Sequence, residues 1–571
     1  MNKIKLYLTV VVLLFAITEN IYSQYQLTAR AENGMVVSAS QKASEVGIEI
    51  LKKGGNAIDA AVATGFALAV TYPFAGNIGG GGFMVIHFAN GKNTAIDYRE
   101  KAPLTAHRDM YLDKNGNYIP SLSQEGATSV AVPGSVAGLI YTLKKYGTKS
   151  LAEVIQPAID LARNGWKLDY KTAESFNAFK SEFQKYPSSA KIFVKEKPFK
   201  EGDLFIQKDL ANTLELIKQK GNDGFYKGKV ADLLIKQIKS LGGYISQKDL
   251  DQYNVIEKEP VHGTYRGYEI LSMPPSSSGG IALIEMLNIL ENFEFSKDEW
   301  GSSKYIHKLV ETMKYAYADR AEYLGDEDFF KVPKSILTSK EYAKTIADKI
   351  KSNFGKAIPS NKIENKLPPN LKESNETTHY SIIDKHGNAV SVTTTINSAY
   401  GSKIVVDGAG YLLNNEMDDF SAKPGEANQF GLVGNEANSI QPQKRPLSSM
   451  TPTIVLKNGK PFMVIGSPGG SRIITTVLQV ILNCVEFDMN ITDAINAARI
   501  HHQWLPDKIY YEQYALSKDV MNNLKEMGYQ FEDANSRFTI LGLAEGILVD
   551  QNKKIFYGAA DKRGAGSAIG Y

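Results

Sequence analysis

A threonine at the head of a β-hairpin, directly after a polar and proline-bearing stretch, limits this chain more than any other feature. The stretch is Leu367-Pro368-Pro369-Asn370-Leu371-Lys372-Glu373-Ser374, which reads as an exposed loop, and Asn375-Glu376-Thr377-Thr378-His379-Tyr380-Ser381 follows it. Tyr380, Ile382 and Ile383 lead into a turn at Lys385-His386-Gly387-Asn388, and Val390, Val392 and Thr394 lead away, which predicts two paired strands. A cut between Glu376 and Thr377 would give Thr377 a hydroxyl nucleophile and a free α-amine. The ordinary pKa of such an amine, about 7.7–8.0, suits a general base near neutral pH. Taken alone, paired threonines in a strand are explained by β-propensity. The reading therefore depends on what else the chain carries.

With 571 residues the chain can bury a large core, as several domains or one large α/β unit. A net charge of +3 is small for this length and gives no basis for nucleic-acid binding. The single cysteine, Cys484, excludes an internal disulfide and sits in an apolar helical run, where it reads as a small buried hydrophobe. Lys3 and Lys5 precede an apolar run from Leu6 to Ile17, with small and polar residues up to Ser23-Gln24. This pattern predicts a signal peptide over 1–23, cleaved near Ser23. The run is short for a membrane span, no cysteine stands at the cleavage point for a lipid anchor, and no later stretch is long and apolar enough to cross. The expectation is a soluble, exported protein, placed in the periplasm, with secretion as the alternative.

Helical periodicity runs over Ser40 to Lys53 and Ala57 to Val70, the second almost wholly apolar and so expected to be buried. Gly76-Asn77-Ile78-Gly79-Gly80-Gly81-Gly82-Phe83 then leads into a strand. It lacks the Lys-Ser/Thr of a phosphate-binding loop, so close backbone approach is the better reading. A second strand, Thr94 to Tyr98, delivers Arg99 and Glu100 at its end; Arg99 reads either as a surface ion-pair residue or as a bidentate carboxylate clamp. Further helices are expected over Gly134–Tyr146, Leu151–Asn164, Lys208–Lys220, Lys229–Leu241, Ile281–Glu291 and Lys304–Leu324. The lysine-rich region from Lys331 to Glu376 reads as the least ordered part.

Polar residues crowd the strand ends after the hairpin. Thr395 and Asn397 close its second strand, and Leu412-Leu413-Asn414-Asn415-Glu416-Met417-Asp418-Asp419-Phe420 sets three carboxylates in one loop. That pattern is too short for a Ca²⁺ loop, whereas two carboxylates suffice for a substrate ammonium. A lid-like loop from Pro424 to Lys444 ends in Arg445-Pro446-Leu447-Ser448-Ser449-Met450. A hairpin follows and ends in Gly466-Ser467-Pro468-Gly469-Gly470-Ser471-Arg472, which opens a helix. The turn is either a tight strand-to-helix connection or an oxyanion hole. No H-E-x-x-H and no zinc constellation occurs, and His501-His502 reads as structural. Ser188-Ser189-Ala190-Lys191 matches S-x-x-K, a pattern short enough to occur by chance. Neither metal nor cofactor is expected.

In order along the chain, the glycine run, Asp97-Tyr98-Arg99-Glu100, the Thr377 segment, the Asn-Asn-Glu-Met-Asp-Asp loop, Arg-Pro-Leu-Ser-Ser-Met and Gly-Ser-Pro-Gly-Gly-Ser-Arg resemble the motifs of the γ-glutamyltranspeptidases. The resemblance covers about Gly34 to Tyr571. It implies an α/β N-terminal-nucleophile hydrolase fold, a four-layer αββα sandwich built from both pieces of a self-cleaved precursor, 24–376 and 377–571, held as a heterodimer. It implies Thr377 as nucleophile, Thr395 as its orienting partner, and Gly469 and Gly470 as the oxyanion hole. Arg99, Ser448 and Ser449 would hold the substrate α-carboxylate, and Asn397, Glu416 and Asp419 its α-amino group. The implied reaction transfers the γ-glutamyl group of glutathione to water or to an amino acid or dipeptide amine. Glu416 stands where some bacterial members have glutamine, which adds negative charge beside the ammonium. Phe430 stands where some members carry a lid tyrosine bonded to the position of Asn397, which a phenyl ring cannot replace; the balance of hydrolysis and transfer is open on that account. The alternatives are a cephalosporin or glutaryl acylase of the same fold and a non-catalytic exported amino-acid-binding protein.

Overall fold

The computed structural model describes residues 28–363, 377–429, 431–534 and 541–571. The expected signal peptide, the expected cleavage bond and Phe430 lie outside the described residues.

Two seven-stranded sheets carry the fold. In chain order their strands are β1 (Ala29–Ala31), β2 (Gly34–Ser38), β3 (Gly81–His87), β4 (Asn93–Asp97), β5 (Ile256–Lys258), β6 (Val261–Tyr265) and β7 (Tyr268–Ser272). Then come β8 (Thr378–Asp384), β9 (Ala389–Thr395), β10 (Thr453–Lys457), β11 (Lys460–Gly466), β12 (Glu545–Asp550), β13 (Ile555–Ala560) and β14 (Ser567–Gly570). One sheet runs β14-β2-β8-β9-β3-β4-β5 and the other β1-β13-β12-β11-β10-β7-β6. Residues from both sides of Thr377 enter each sheet, and β8 pairs antiparallel with β2 while β9 pairs antiparallel with β3.

Alternation along the strands decides the layers, because successive side chains leave opposite faces. Val36, Met84, Ile86, Tyr380, Ile382, Val390 and Val392 point to one helical layer, which includes α1 (Gln41–Lys52), α2 (Ala57–Thr71), α3 (Ser135–Tyr146) and α4 (Leu151–Asn164). Their neighbours Met35, Val37, Phe83, Val85 and Ile383 face Ile454, Leu456, Val464 and Ile547 of the second sheet. The outer face of that sheet, with Val455, Met463 and Ile465, packs on α5 (Gly279–Leu290), α6 (Ser303–Tyr323) and, farther along the chain, α8 (Arg472–Val485). The order is helix, sheet, sheet, helix, as expected. Both inner faces are buried, so the strands read as near-continuous apolar runs rather than half-wet ones.

The expected helices are present with ends displaced by a residue or two. The lysine-rich region departs from expectation, since Lys334–Leu337 and α7 (Lys340–Ser352) are helical. Ala343, Ile346, Ala347 and Ile350 of α7 recur at helical spacing and bury against Ile289 and Phe293. The abundant lysines on the other face hide that narrow stripe from a compositional reading. The remainder of the expected disorder, residues 364–376, lies outside the described residues.

A loop that includes Ala357–Ile363 is pinned from the far side of Thr377. Ala357 N–H donates to Met527 O (2.8 Å), Ser360 N–H to Asp507 Oδ2 (2.8 Å), and Trp504 Nε1–H to Ser360 O (2.9 Å). Lys314 on α6 donates to Ile358 O (2.9 Å) and pairs with Asp507 (3.2 Å), which also faces His502 Nε2 (3.2 Å). Among the described residues no helix is long and apolar enough to cross a membrane.

Candidate active site

Thr377 immediately precedes β8 and is 6% exposed. In the β8–β9 register Thr378 stands opposite Thr394, so one step outward sets Thr377 opposite Thr395. Thr395 is fixed at that end: its Oγ1 accepts from Asn397 N–H (2.8 Å) and its carbonyl from Asn77 Nδ2 (2.8 Å). Asn397 turns the chain with φ 73°, a left-handed conformation that asparagine tolerates, and its amide donates to Asn415 O (2.9 Å). The glycine run lies against this end of the hairpin. A Cβ on Gly80 would come within 2.0 Å of Thr395 O, and one on Gly79 within 2.1 Å of Leu412 O. Close approach of backbone to backbone, and not phosphate binding, therefore explains these glycines.

A single-turn 3₁₀ helix over Glu416–Asp419 sorts the three carboxylates. Positions three apart eclipse in such a turn, which sends Glu416 and Asp419 to the same partner. Arg99 Nη1 donates to Glu416 Oε1, Arg99 Nη2 to Asp419 Oδ2, and Arg99 Nε to Pro446 O (3.2 Å). Asp418 points elsewhere and accepts from Ser123 Oγ (2.6 Å) and Tyr118 OH (3.1 Å). Glu100 adds a third carboxylate, 3.5 Å from Arg99 Nη1. Three buried carboxyls about one guanidinium cannot all ionise cheaply. Burial pushes the Glu100 carboxyl up to about 7 and raises Glu416 and Asp419 as well, with Arg99 pulling each of the three back. For Arg99, burial opposes the charge, but Glu416, Asp419 and Glu100 outweigh it and raise its pKa.

Ser448 and Ser449 enter from the loop before β10. Ser448 Oγ accepts from Met450 N–H (3.0 Å), and Ser449 Oγ accepts from Arg320 Nη2 (3.1 Å). Gly469 and Gly470 form the turn from β11 into α8 with φ of 136° and 54°. The first value suits glycine above all others.

These groups converge. A cavity of about 20 Å3 is lined by Thr377, Thr395, Asn397, Arg99, Glu416, Asp419, Ser448, Ser449 and Gly470, together with Arg320 and Leu432. Gly469 lines a second cavity of about 540 Å3, walled by Phe74, Phe179, Tyr400 and Leu543 and also bounded by Thr377. Thr377 thus borders a small polar chamber and a large, mainly apolar one. Every expected site residue lies on one or the other. The loop expected to act as a lid contributes Leu432, while its Gln429 N–H donates to Asp418 Oδ2 (3.0 Å).

Arg320 escaped the sequence reading. Its signal was present: Met313, Ala316 and Tyr317 mark the buried face of α6, and Arg320 falls on that same face. The other weak candidates are structural. Ser188 and Ser189 cap backbone carbonyls of Val405 and Lys403 (2.8 and 2.6 Å), His501 is held by Thr475 and Gln503, and Cys484 is buried.

The sequence matches the family model described as gamma-glutamyltranspeptidase over residues 43–571. It is 50% identical over 537 residues to a glutathione hydrolase proenzyme of Escherichia coli K12, covering 94% of this chain and 91% of that protein. Among solved structures, Helicobacter pylori gamma-glutamyltranspeptidase is 54% identical over 55% of this chain and 90% of its own, with a TM-score of 0.54. A cephalosporin acylase from Bacillus halodurans superposes over 97% of this chain and 98% of its own with a TM-score of 0.85, at 27% identity. Family model, relatives and fold agree, and the chain belongs to the gamma-glutamyltranspeptidase family.

Proposed function

We propose that this protein is an exported, self-processing γ-glutamyltransferase and glutathione hydrolase. In the precursor, Thr377 Oγ attacks the carbonyl carbon of the preceding peptide bond. The bond shifts from nitrogen to oxygen, and water opens the resulting ester to free the Thr377 α-amine. The pieces 24–376 and 377–571 then form the working heterodimer. In turnover the α-amine takes the Thr377 hydroxyl proton as Oγ attacks the γ-carbonyl of glutathione. The oxyanion is met by backbone N–H groups at Gly469 and Gly470. The proton passes to the departing cysteinyl-glycine amine, leaving a γ-glutamyl ester on Thr377. Water, or an amino acid or dipeptide amine reaching the ester from the larger cavity, then releases the γ-glutamyl group.

The observation that carries this reading is the direct contact of Arg99 with Glu416 and Asp419 beside Thr377. A γ-glutamyl head group is a zwitterion. Its α-carboxylate can replace one carboxylate on Arg99, with Ser448 and Ser449 as further donors, while its ammonium takes Arg99's place against Glu416, Asp419 and the Asn397 amide. Exchanging internal ion pairs for external ones leaves the buried charge balanced. A glutaryl group brings a carboxylate with no ammonium and would leave Glu416 and Asp419 uncompensated, which favours the γ-glutamyl reading over an acylase.

Intact mass of the purified protein and of Thr377→Ala tests the mechanism. Two fragments are expected in the wild type, one beginning at Thr377, and a single chain in the variant; a single chain in both overturns it. Rates with γ-glutamyl and glutaryl anilides decide the head group, and faster glutaryl release would favour the acylase.

A further inference from the structure

Arg320 is a buried cation whose described hydrogen-bond partners are neutral. It projects from α6, is 4% exposed and lines the small chamber with Thr377. Its Nε donates to Ser278 Oγ (2.9 Å) and its Nη2 to Ser449 Oγ (3.1 Å). Three other buried arginines meet carboxylates directly: Arg445 has Asp97 at 3.1 Å, Arg499 has Asp561 at 2.6 Å, and Arg99 has its two carboxylates. Burial lowers the Arg320 pKa to about 10, with Tyr317 and Asp419 partly restoring it. A guanidinium held out of water with no carboxylate in direct contact is costly unless an anion comes to it.

The two hydroxyls transmit that charge in a defined direction. A serine oxygen that accepts from Arg320 turns its own hydrogen away from the guanidinium. For Ser278 that hydrogen goes to Ser448 O (2.6 Å), and Ser278 N–H also donates to Ser448 O (2.8 Å). Arg320 therefore holds Ser448 through its backbone. For Ser449, a cavity-lining residue, the hydrogen is left to point at whatever oxygen enters the chamber. Arg99 differs: three of its donors already meet Glu416, Asp419 and Pro446 O.

We propose that Arg320 is a positioning residue for the substrate α-carboxylate, acting through Ser449 and Ser448. It fixes both serines, polarises the Ser449 hydroxyl as a donor, and adds a second positive charge beside the α-carboxylate that Arg99 meets. This rests on the γ-glutamyl reading of the chamber. It adds a residue outside the set expected from sequence, and its contribution depends on the ligand carrying an α-carboxylate.

The test compares L-glutamate with 4-aminobutyrate, the same molecule without its α-carboxylate, as ligands of the processed enzyme by calorimetry. The proteins are wild type, Arg320→Gln, Arg320→Lys, Ser449→Ala and the Arg320→Gln/Ser449→Ala double variant. Fragment masses report whether each variant folds and processes. Arg320→Gln is expected to weaken glutamate roughly tenfold or more, the scale of a charge-assisted hydrogen bond, and to leave 4-aminobutyrate within about threefold. Arg320→Lys should recover part of the loss. In the double variant the two losses should fall short of additive, because one acts through the other. Equal losses on both ligands, or additive losses, overturn the proposal. If Arg320→Gln fails to process, Arg320→Lys carries the comparison: a loss confined to glutamate supports the proposal and equal losses refute it. Failure of the wild type on γ-glutamyl anilides would instead count against the proposed reaction, while the calorimetric comparison would still judge Arg320.

Discussion

At the scale of single residues, the chamber beside Thr377 is governed by how protons are shared among buried carboxyls. Glu100 is fully buried and titrates near 7 where an ordinary glutamate titrates near 4.5. An acid whose pKa is raised by folding favours the folded state below its unfolded value, and that contribution is lost as pH rises through the folded value. Wild-type Tm should therefore fall between about pH 4.5 and 7 by more than the Tm of Glu100→Gln, whose side chain does not titrate. Parallel curves for the two proteins would contradict this. Much of the chamber was legible because its residues sit in chemically unusual strings: adjacent carboxylates, paired serines, a strand-end arginine. What the strings withheld was direction. Nothing in Glu-Met-Asp-Asp says that Asp418 turns to Ser123 while its neighbours turn to Arg99. Arg320, one charge in a long helix, offered only its place on an apolar face.

At the scale of elements, the contact between the loop that includes Ala357–Ile363 and the Trp504–Asp507 turn ties chain from before Thr377 to chain after it. Burial opposes ionisation of Asp507, but the His502 hydrogen bond and Lys314 hold its carboxyl well below the ordinary 3.8. Burial also lowers His502 to about 4, with Asp507 opposing that shift. A depressed carboxylate stabilises the fold above its ordinary pKa and loses that effect as pH falls, and a depressed histidine acts in the same sense. In a His502→Gln background, where the histidine does not titrate, Asp507→Asn is expected to lower Tm at pH 7 and to lose less on going to pH 3 than the His502→Gln parent does, by scanning calorimetry. A parent no more acid-sensitive than the double variant would refute this. The strands and long helices were readable because periods of 2 and 3.6 survive in the sequence. The helix α7 was not, since four small or branched residues make its buried stripe and the rest is mostly charged and polar, with four lysines among it. The pairing partners of each strand were also hidden, because antiparallel register across hundreds of residues leaves no local mark.

At the scale of the whole molecule, the cut expected at Thr377 falls inside a shared architecture. In the sheet that begins with β14, strands from the two pieces alternate: β14 after the cut, β2 before it, β8 and β9 after, β3, β4 and β5 before. The processed fragments should therefore co-elute in size-exclusion chromatography, separate only in denaturant, and unfold in one transition. Separation in native buffer would be incompatible with this sheet order.

That alternation also gives the uncut chain a task that ends before catalysis begins. While the backbone is continuous, the strand partners share one molecule, and their meeting depends on loop closure, which grows only slowly with chain length. As separate chains they would have to find one another at cellular dilution and thread strands between strands. In the proposed processing, the peptide bond before Thr377 would thus be a tether used in assembly and removed afterward. If alignment of the Thr377 hydroxyl requires β8 to lie between β2 and β9, a misassembled precursor would keep its tether and expose no amine. On that reading, activity would be licensed by correct folding of the chain itself.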